Sequence, residues 1–151
     1  MIAAGVAMLA SGAAAGEVSP LAELSGDRIA ACGLTIGEPA AGLTIRFALE
    51  RTPGAAALFI SATRADGQPV SGALAINIPG FETAAFQTIE TERGPTLTLK
   101  GEETGFVIQR FMVAGAELRA GGAVIRVKGP LPQSVRAAYL NCAGDMYRQT
   151  P

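Results

Sequence analysis

The chain has 151 residues, 49% of them hydrophobic, and a formal net charge of −1 from 12 basic and 13 acidic side chains. That length suits one domain rather than two, and the dispersed, nearly balanced charge argues against the clustered basic face that meets nucleic acid. Histidine and tryptophan are absent; lacking histidine, the chain has neither the commonest general base nor the commonest metal ligand.

Residues 1–15 (MIAAGVAMLASGAAA) carry no charge and consist of small or apolar side chains. The run reads as the apolar region and cleavage zone of a secretory signal peptide, with Ala13-Ala14-Ala15 as the cleavage site before Gly16, although no Lys or Arg precedes it. It is shorter than the ~20 apolar residues that cross a bilayer, so no integral membrane span is expected. A buried Ala-rich helix is the alternative. Residues 16–26 read as a flexible leader-to-domain segment, 27–145 as the folded domain and 146–151 as a frayed tail.

Cys32 and Cys142 are the two cysteines, one near each end of that domain. In an exported chain an even pair reads first as a disulfide, and a loop of this size is credited with about 4–5 kcal/mol in the chain-entropy account. Two readings compete with it. Ile29-Ala30-Ala31-Cys32-Gly33 resembles a lipoprotein box, but Glu23, Asp27 and Arg28 interrupt the apolar run that such a signal requires. Two free buried thiols are the other.

Alternation dominates the middle of the chain. Leu43, Ile45, Phe47 and Leu49 fall on one face of an extended segment, with Thr44, Arg46 and Glu50 on the other, which predicts a half-buried strand. Pro53-Gly54 ends it, and Ala57–Thr63 is a second strand. Asp66-Gly67 supplies a turn before Gly72–Ile78 resumes the alternation, and Pro79-Gly80 stops it. Further strands are expected at Phe86–Thr91, Thr96–Lys100, Gly105–Val113 and Ala123–Lys128, with Gly121-Gly122 as a turn. Val113–Ala120 reads as one helical turn or a bridging loop. Leu131, Val135, Ala138, Tyr139 and Cys142 recur at helical spacing, so Pro132–Cys142 is expected to form an amphipathic helix stopped by Gly144. The expected fold is all-β (mainly β), a single β-sandwich of about seven or eight short strands with a C-terminal amphipathic helix.

Candidate chemistry is sparse. Nucleophilic catalysis needs a base beside its Ser, Cys or Thr, and neither histidine nor an S-x-x-K run is present. Glu82, Glu90, Glu92, Glu102 and Glu103 supply carboxylates with no fixed separation, most of them beside turn residues where solvated charge is normal. Asp27, Asp66 and Asp145 are isolated, without the spacing of a calcium loop. No catalytic residue, metal site or cofactor is therefore expected. Arg46 points away from the apolar side of its strand. If the strands carrying Arg46, Arg64, Arg110 and Arg126 are neighbours, their guanidiniums would form an anion-binding stripe able to grip carboxylate or phosphate. The alternative is an ordinary solvated face neutralised by Glu50, Glu90 and Glu92.

Two stretches, FALERTPGAAALFIS (Phe47–Ser61) and AGAELRAGGAVIRVKG (Ala114–Gly129), carry a resemblance. Between Ile45 and Gly129 the chain resembles the invasion-associated locus B family of proteobacterial periplasmic proteins. The resemblance implies a small exported β-sandwich with disulfides and carries over no catalytic residue. The chain departs from that family in having neither a Trp near its first Cys nor a mid-chain Cys pair. The expected function is that of a non-enzymatic envelope protein, periplasmic or secreted, binding another protein or an envelope component through a sheet face or edge. A secreted inhibitor or small-ligand carrier is the alternative, and an enzyme comes third.

Overall fold

The computed structural model describes residues 14–52, 55–82 and 85–149. Residues 1–13 of the expected signal peptide lie outside them, as do the Pro53-Gly54 turn and residues 150–151 of the expected tail. In chain order the strands are β1 (Ala14–Ala15), β2 (Glu17–Ser25), β3 (Arg28–Glu38), β4 (Leu43–Thr52), β5 (Ala55–Arg64), β6 (Ala75–Asn77), β7 (Gln87–Thr91) and β8 (Gly94–Lys100). Helix α1 (Glu103–Ala114), β9 (Gly115–Ala120), β10 (Ala123–Lys128) and helix α2 (Gln133–Arg148) follow. The strands form two sheets, one of six in the order β2-β3-β4-β5-β8-β7 and one of four in the order β1-β10-β9-β6. All neighbours run antiparallel except β1, which pairs parallel with β10. The protein is thus a mainly β sandwich with a C-terminal helix, as the alternation implies.

The larger sheet turns Cys32, Leu34, Ile36, Ile45, Phe47, Leu49, Leu58, Ile60, Leu97 and Leu99 to the core. Both helices and the small sheet cover this same inner face. Phe111 of α1 packs on Phe47, ring centroids 4.9 Å apart. Gly16 sits where a Cβ would strike Ile36 of β3 and Ile125 of β10, so the two sheets meet there across a residue with no side chain. Helix α2 lies against β2 and β3 and is joined to β3 by the Cys32–Cys142 disulfide, Cα atoms 5.8 Å apart and 110 residues apart in sequence. Val135, Tyr139 and Met146 are its buried residues, with Leu131 buried just before it. Burial, reinforced by Tyr147, pushes the pKa of the Tyr139 hydroxyl up to about 12.

Four expectations are corrected. The segment expected to be flexible, 16–26, contains β2, paired with β3 from Glu17↔Gly37 to Ser25↔Arg28. It reads as linker because most of it is exposed and it contains Pro20, which an edge strand tolerates. Gly105–Val113 is helical rather than extended. The buried residues of α1, Thr104, Val107, Ile108, Phe111 and Met112, follow the spacing of one helix face, while exposed Phe106 and Val113 blur that pattern in the sequence. Val113–Ala120 is neither a helical turn nor a bridging loop over most of its length. Gly115, at φ +73°, ends α1, and β9 follows with Ala116, Leu118 and Ala120 buried in alternation. Lastly, α2 runs through Gly144 to Arg148, and Met146 is only 1% exposed. A helical glycine costs about 0.5–1 kcal/mol, a cost set against Met146 burial and hydrogen bonds from Arg51 Nη1 to the carbonyls of Tyr147 and Gln149.

Candidate functional site

The four predicted arginines do not form one stripe. Arg46 lies on β4, Arg64 at the end of β5, Arg110 on α1 and Arg126 on β10, in the other sheet. Each has its own partner. Arg64 pairs with Asp66 at 3.8 Å, Arg110 Nε donates to the carbonyl of Pro79 at 2.6 Å, and Arg126 Nε donates to Glu117 at 3.1 Å. The carboxylates weighed for chemistry, Glu82, Glu90, Glu92, Glu102 and Glu103, are all exposed, as are Asp27, Asp66 and Asp145. Among the described residues no group of three His, Cys, Asp or Glu gathers as metal ligands, and no helix is long and apolar enough to cross a membrane.

Arg46 belongs to a different assembly, on the outer face of the six-stranded sheet. Both helices and the small sheet occupy the inner face. The ladder registers place Glu23 beside Ala31, and Arg46 beside Thr35 and Ser61. The Glu23–Arg46 ion pair therefore spans β3 above Gly33, the residue between Ala31 and Thr35. Arg46 donates through Nε at 3.1 Å and also through Nη2. The Arg46 side chain is 14% exposed and that of Glu23 37%. The hydrogen bonds from Arg46 hold the Glu23 carboxyl below its usual range, against a desolvation effect, and Arg93 adds to the lowering. A carboxylate with a depressed folded pKa adds stability above its unfolded pKa and loses it as pH falls through the folded value. Acid destabilisation below about pH 4.5 is accordingly expected to be shallower in Glu23→Gln than in the wild type, by urea unfolding at stepped pH. Identical slopes would remove the pair from the acid response.

Beside this pair lies a groove of about 200 Å³ lined by Arg46, Glu50, Phe59, Ser61, Thr91, Glu92, Arg93 and Thr96. Its far wall is the hairpin between β7 and β8. There the Thr91 hydroxyl accepts from the Arg93 N–H at 3.0 Å and lies 3.0 Å from the Thr96 hydroxyl, fixing the turn that carries Arg93. Thr98, 4% exposed, sits on the same face, opposite Phe59 and two residues from Thr96, and its hydroxyl has no hydrogen-bond partner among the described residues. Of these residues the sequence pattern points to Arg46, Glu50 and Glu92, but not to Arg93, Phe59 or Ser61. Alternation along β5 could have placed Phe59 and Ser61 with Arg46; nothing local marks Arg93.

Two larger clefts lie elsewhere. One, of about 480 Å³, runs from Arg51 and Tyr147 to the start of α1 over Ala55, Ala56, Gly101 and Gly105. The guanidinium of Arg51 sits 5.5 Å from the centre of the Tyr147 ring, so this region ties β4 to the end of α2. The other, of about 500 Å³, is bordered by the β3–β4 turn, Arg64 and Asp66. Comparison with protein-family models, curated proteins and solved structures finds no significant match.

Proposed function

We propose that the protein is an exported envelope module without enzymatic activity, periplasmic or secreted, which binds another protein or an envelope component through its six-stranded sheet. The disulfide supports an oxidising compartment, and the resemblance to the locus B family supports the same location. Strand β7 is the observation that carries the binding mode. The opposite edge, β2, is blunted by Pro20 and by a register shift at Glu23/Leu24, two devices that deter strand pairing. Strand β7 has neither: its register with β8 is unbroken, and Gln87, Thr88, Ile89 and Glu90 are exposed. Pro95 opposite Glu90 has no N–H to exchange, so Glu90 and, two residues back, Thr88 direct their backbone groups outward. An extended segment of a partner would pair there. The second reading, a secreted inhibitor or small-ligand carrier, draws on the outer-face groove.

A photoreactive residue at Glu90, in protein produced in its native envelope, is expected to trap a discrete adduct that Thr88→Pro abolishes without changing the circular dichroism. Equal trapping from Leu24 on the guarded edge, or adducts indifferent to Thr88→Pro, would overturn the edge as binding site. The intact mass of the same material should correspond to a chain beginning near Gly16 or Glu17 without lipid, a cleavage that removes the two residues of β1 and leaves β10 as the edge of the small sheet; retention of Met1 would overturn export.

A further inference from the structure

The groove on the outer face has an unusual charge inventory for its size. It is lined by two guanidiniums and two carboxylates, from Arg46, Arg93, Glu50 and Glu92, together with three hydroxyls and one aromatic ring. Arg46 is committed to Glu23 through two hydrogen bonds. The side chains of Arg93, Glu50 and Glu92 make no hydrogen bond or ion pair with another described residue. Among the described residues, Arg93 thus has no direct partner, although its charge also acts on Glu23, and the carboxylates of Glu50 and Glu92 have none, around a space of about 200 Å³.

Simple ions fit this arrangement poorly. A phosphate-like dianion would meet Glu50 and Glu92, and a lone cation would meet Arg93. A molecule bearing both charges a few ångströms apart satisfies both sides, because each charged end is paired rather than merely desolvated. Phe59 offers an apolar wall for a side chain, and Ser61, 2% exposed, offers a hydroxyl on the floor. Outside the groove lining but on the same face, the Thr98 hydroxyl beside Phe59 has no partner among the described residues.

We propose that this groove binds a small zwitterion of α-amino-acid size, its carboxylate on the guanidinium of Arg93, its ammonium on Glu50 and Glu92, and its side chain against Phe59. Thr91 at the end of β7 walls the groove, but the proposed ligand does not use the outward backbone groups of Thr88 and Glu90, so its failure leaves the binding reading above in place.

The probe is free valine, titrated into the full protein and followed by backbone amide shifts, alongside N-acetylvaline, valinamide and inorganic phosphate. Each blocked derivative removes one charged end. A charge-assisted hydrogen bond contributes about 1.5–3 kcal/mol, so N-acetylvaline and valinamide are each expected to bind at least about tenfold more weakly than valine. Arg93→Gln should lower valine affinity to the valinamide level, and Glu50→Gln combined with Glu92→Gln to the N-acetylvaline level. Arg93 and Glu92 are exposed and Glu50 half-buried, and a melting temperature within a few degrees of wild type verifies that the variants fold. Absence of saturable valine shifts at tens of millimolar, equal binding of valine and its blocked forms, tighter binding of phosphate, or an unchanged Arg93→Gln would each overturn the proposal.

Discussion

Reducing the Cys32–Cys142 bond is expected to lower the unfolding free energy by about 2–5 kcal/mol, a large share of the 5–15 kcal/mol typical of a domain. The bond closes a loop of 110 residues and joins β3, near the start of the domain, to α2, its last element. Without it the unfolded ensemble regains the entropy of that loop. Helix α2 keeps its side-chain contacts with β2 and β3, the paired hydrogen bonds between Gln149 and the backbone of Ile29, and the contacts of Arg51 with Tyr147 and Gln149 at its end. Cys32→Ser and Cys142→Ser should each lose about as much as the double variant, because either change breaks the same bond. Urea unfolding of the three variants and of reduced wild type is the measurement. Additive losses from the single variants would mean that the two sulfurs act separately.

Phe111→Ala is expected to lose about 3–5 kcal/mol. Phe111 and Phe47 are both 0% exposed, and their tilted rings join α1 to the centre of the larger sheet. Truncation removes the transfer energy of a buried ring and opens a cavity that Val107, Ile108 and Met112, held on the same helix face, fill only in part. Phe47→Ala should cost a similar amount. The double variant should lose less than the sum, with a coupling of about 0.5–1.5 kcal/mol for the ring pair. Near-wild-type stability of Phe111→Ala would mean that α1 is not docked through this residue. Strict additivity would mean that the rings contribute by burial alone.

The candidate site was only partly legible before folding. Alternation in LTIRFALE places Arg46 and Glu50 on the polar side of β4, where they are found. It does not say that Glu23, from a segment read as linker, reaches across β3 to Arg46. Nor does it bring Arg93 into the same groove, because a turn residue carries no facial pattern. Grouping arginines by their positions on separate strands failed for the same reason. Strand order decides which faces adjoin, and Arg126 lies in the other sheet while Arg110 is on a helix.

What the sequence determined by itself is whatever depends on local period and chemistry. The alternation of β4, β5, β8 and β10, the glycine turn at Gly121-Gly122, the helical spacing from Leu131 to Cys142 and the pairing of two lone cysteines are all written in neighbouring or unique residues. Tertiary structure alone decided the rest. The segment Gly105–Val113 mixes exposed Phe106 and Val113 with buried Val107, Ile108 and Phe111, so its period emerges only once one face is docked on Phe47. Strand β2 and the end of α2 contain Pro20 and Gly144, residues that break structure in isolation. They hold here because β3 supplies a pairing partner and because Met146 is buried. Partners distant in the chain supply the energy that local preference lacks, and that energy exists only in the assembled fold.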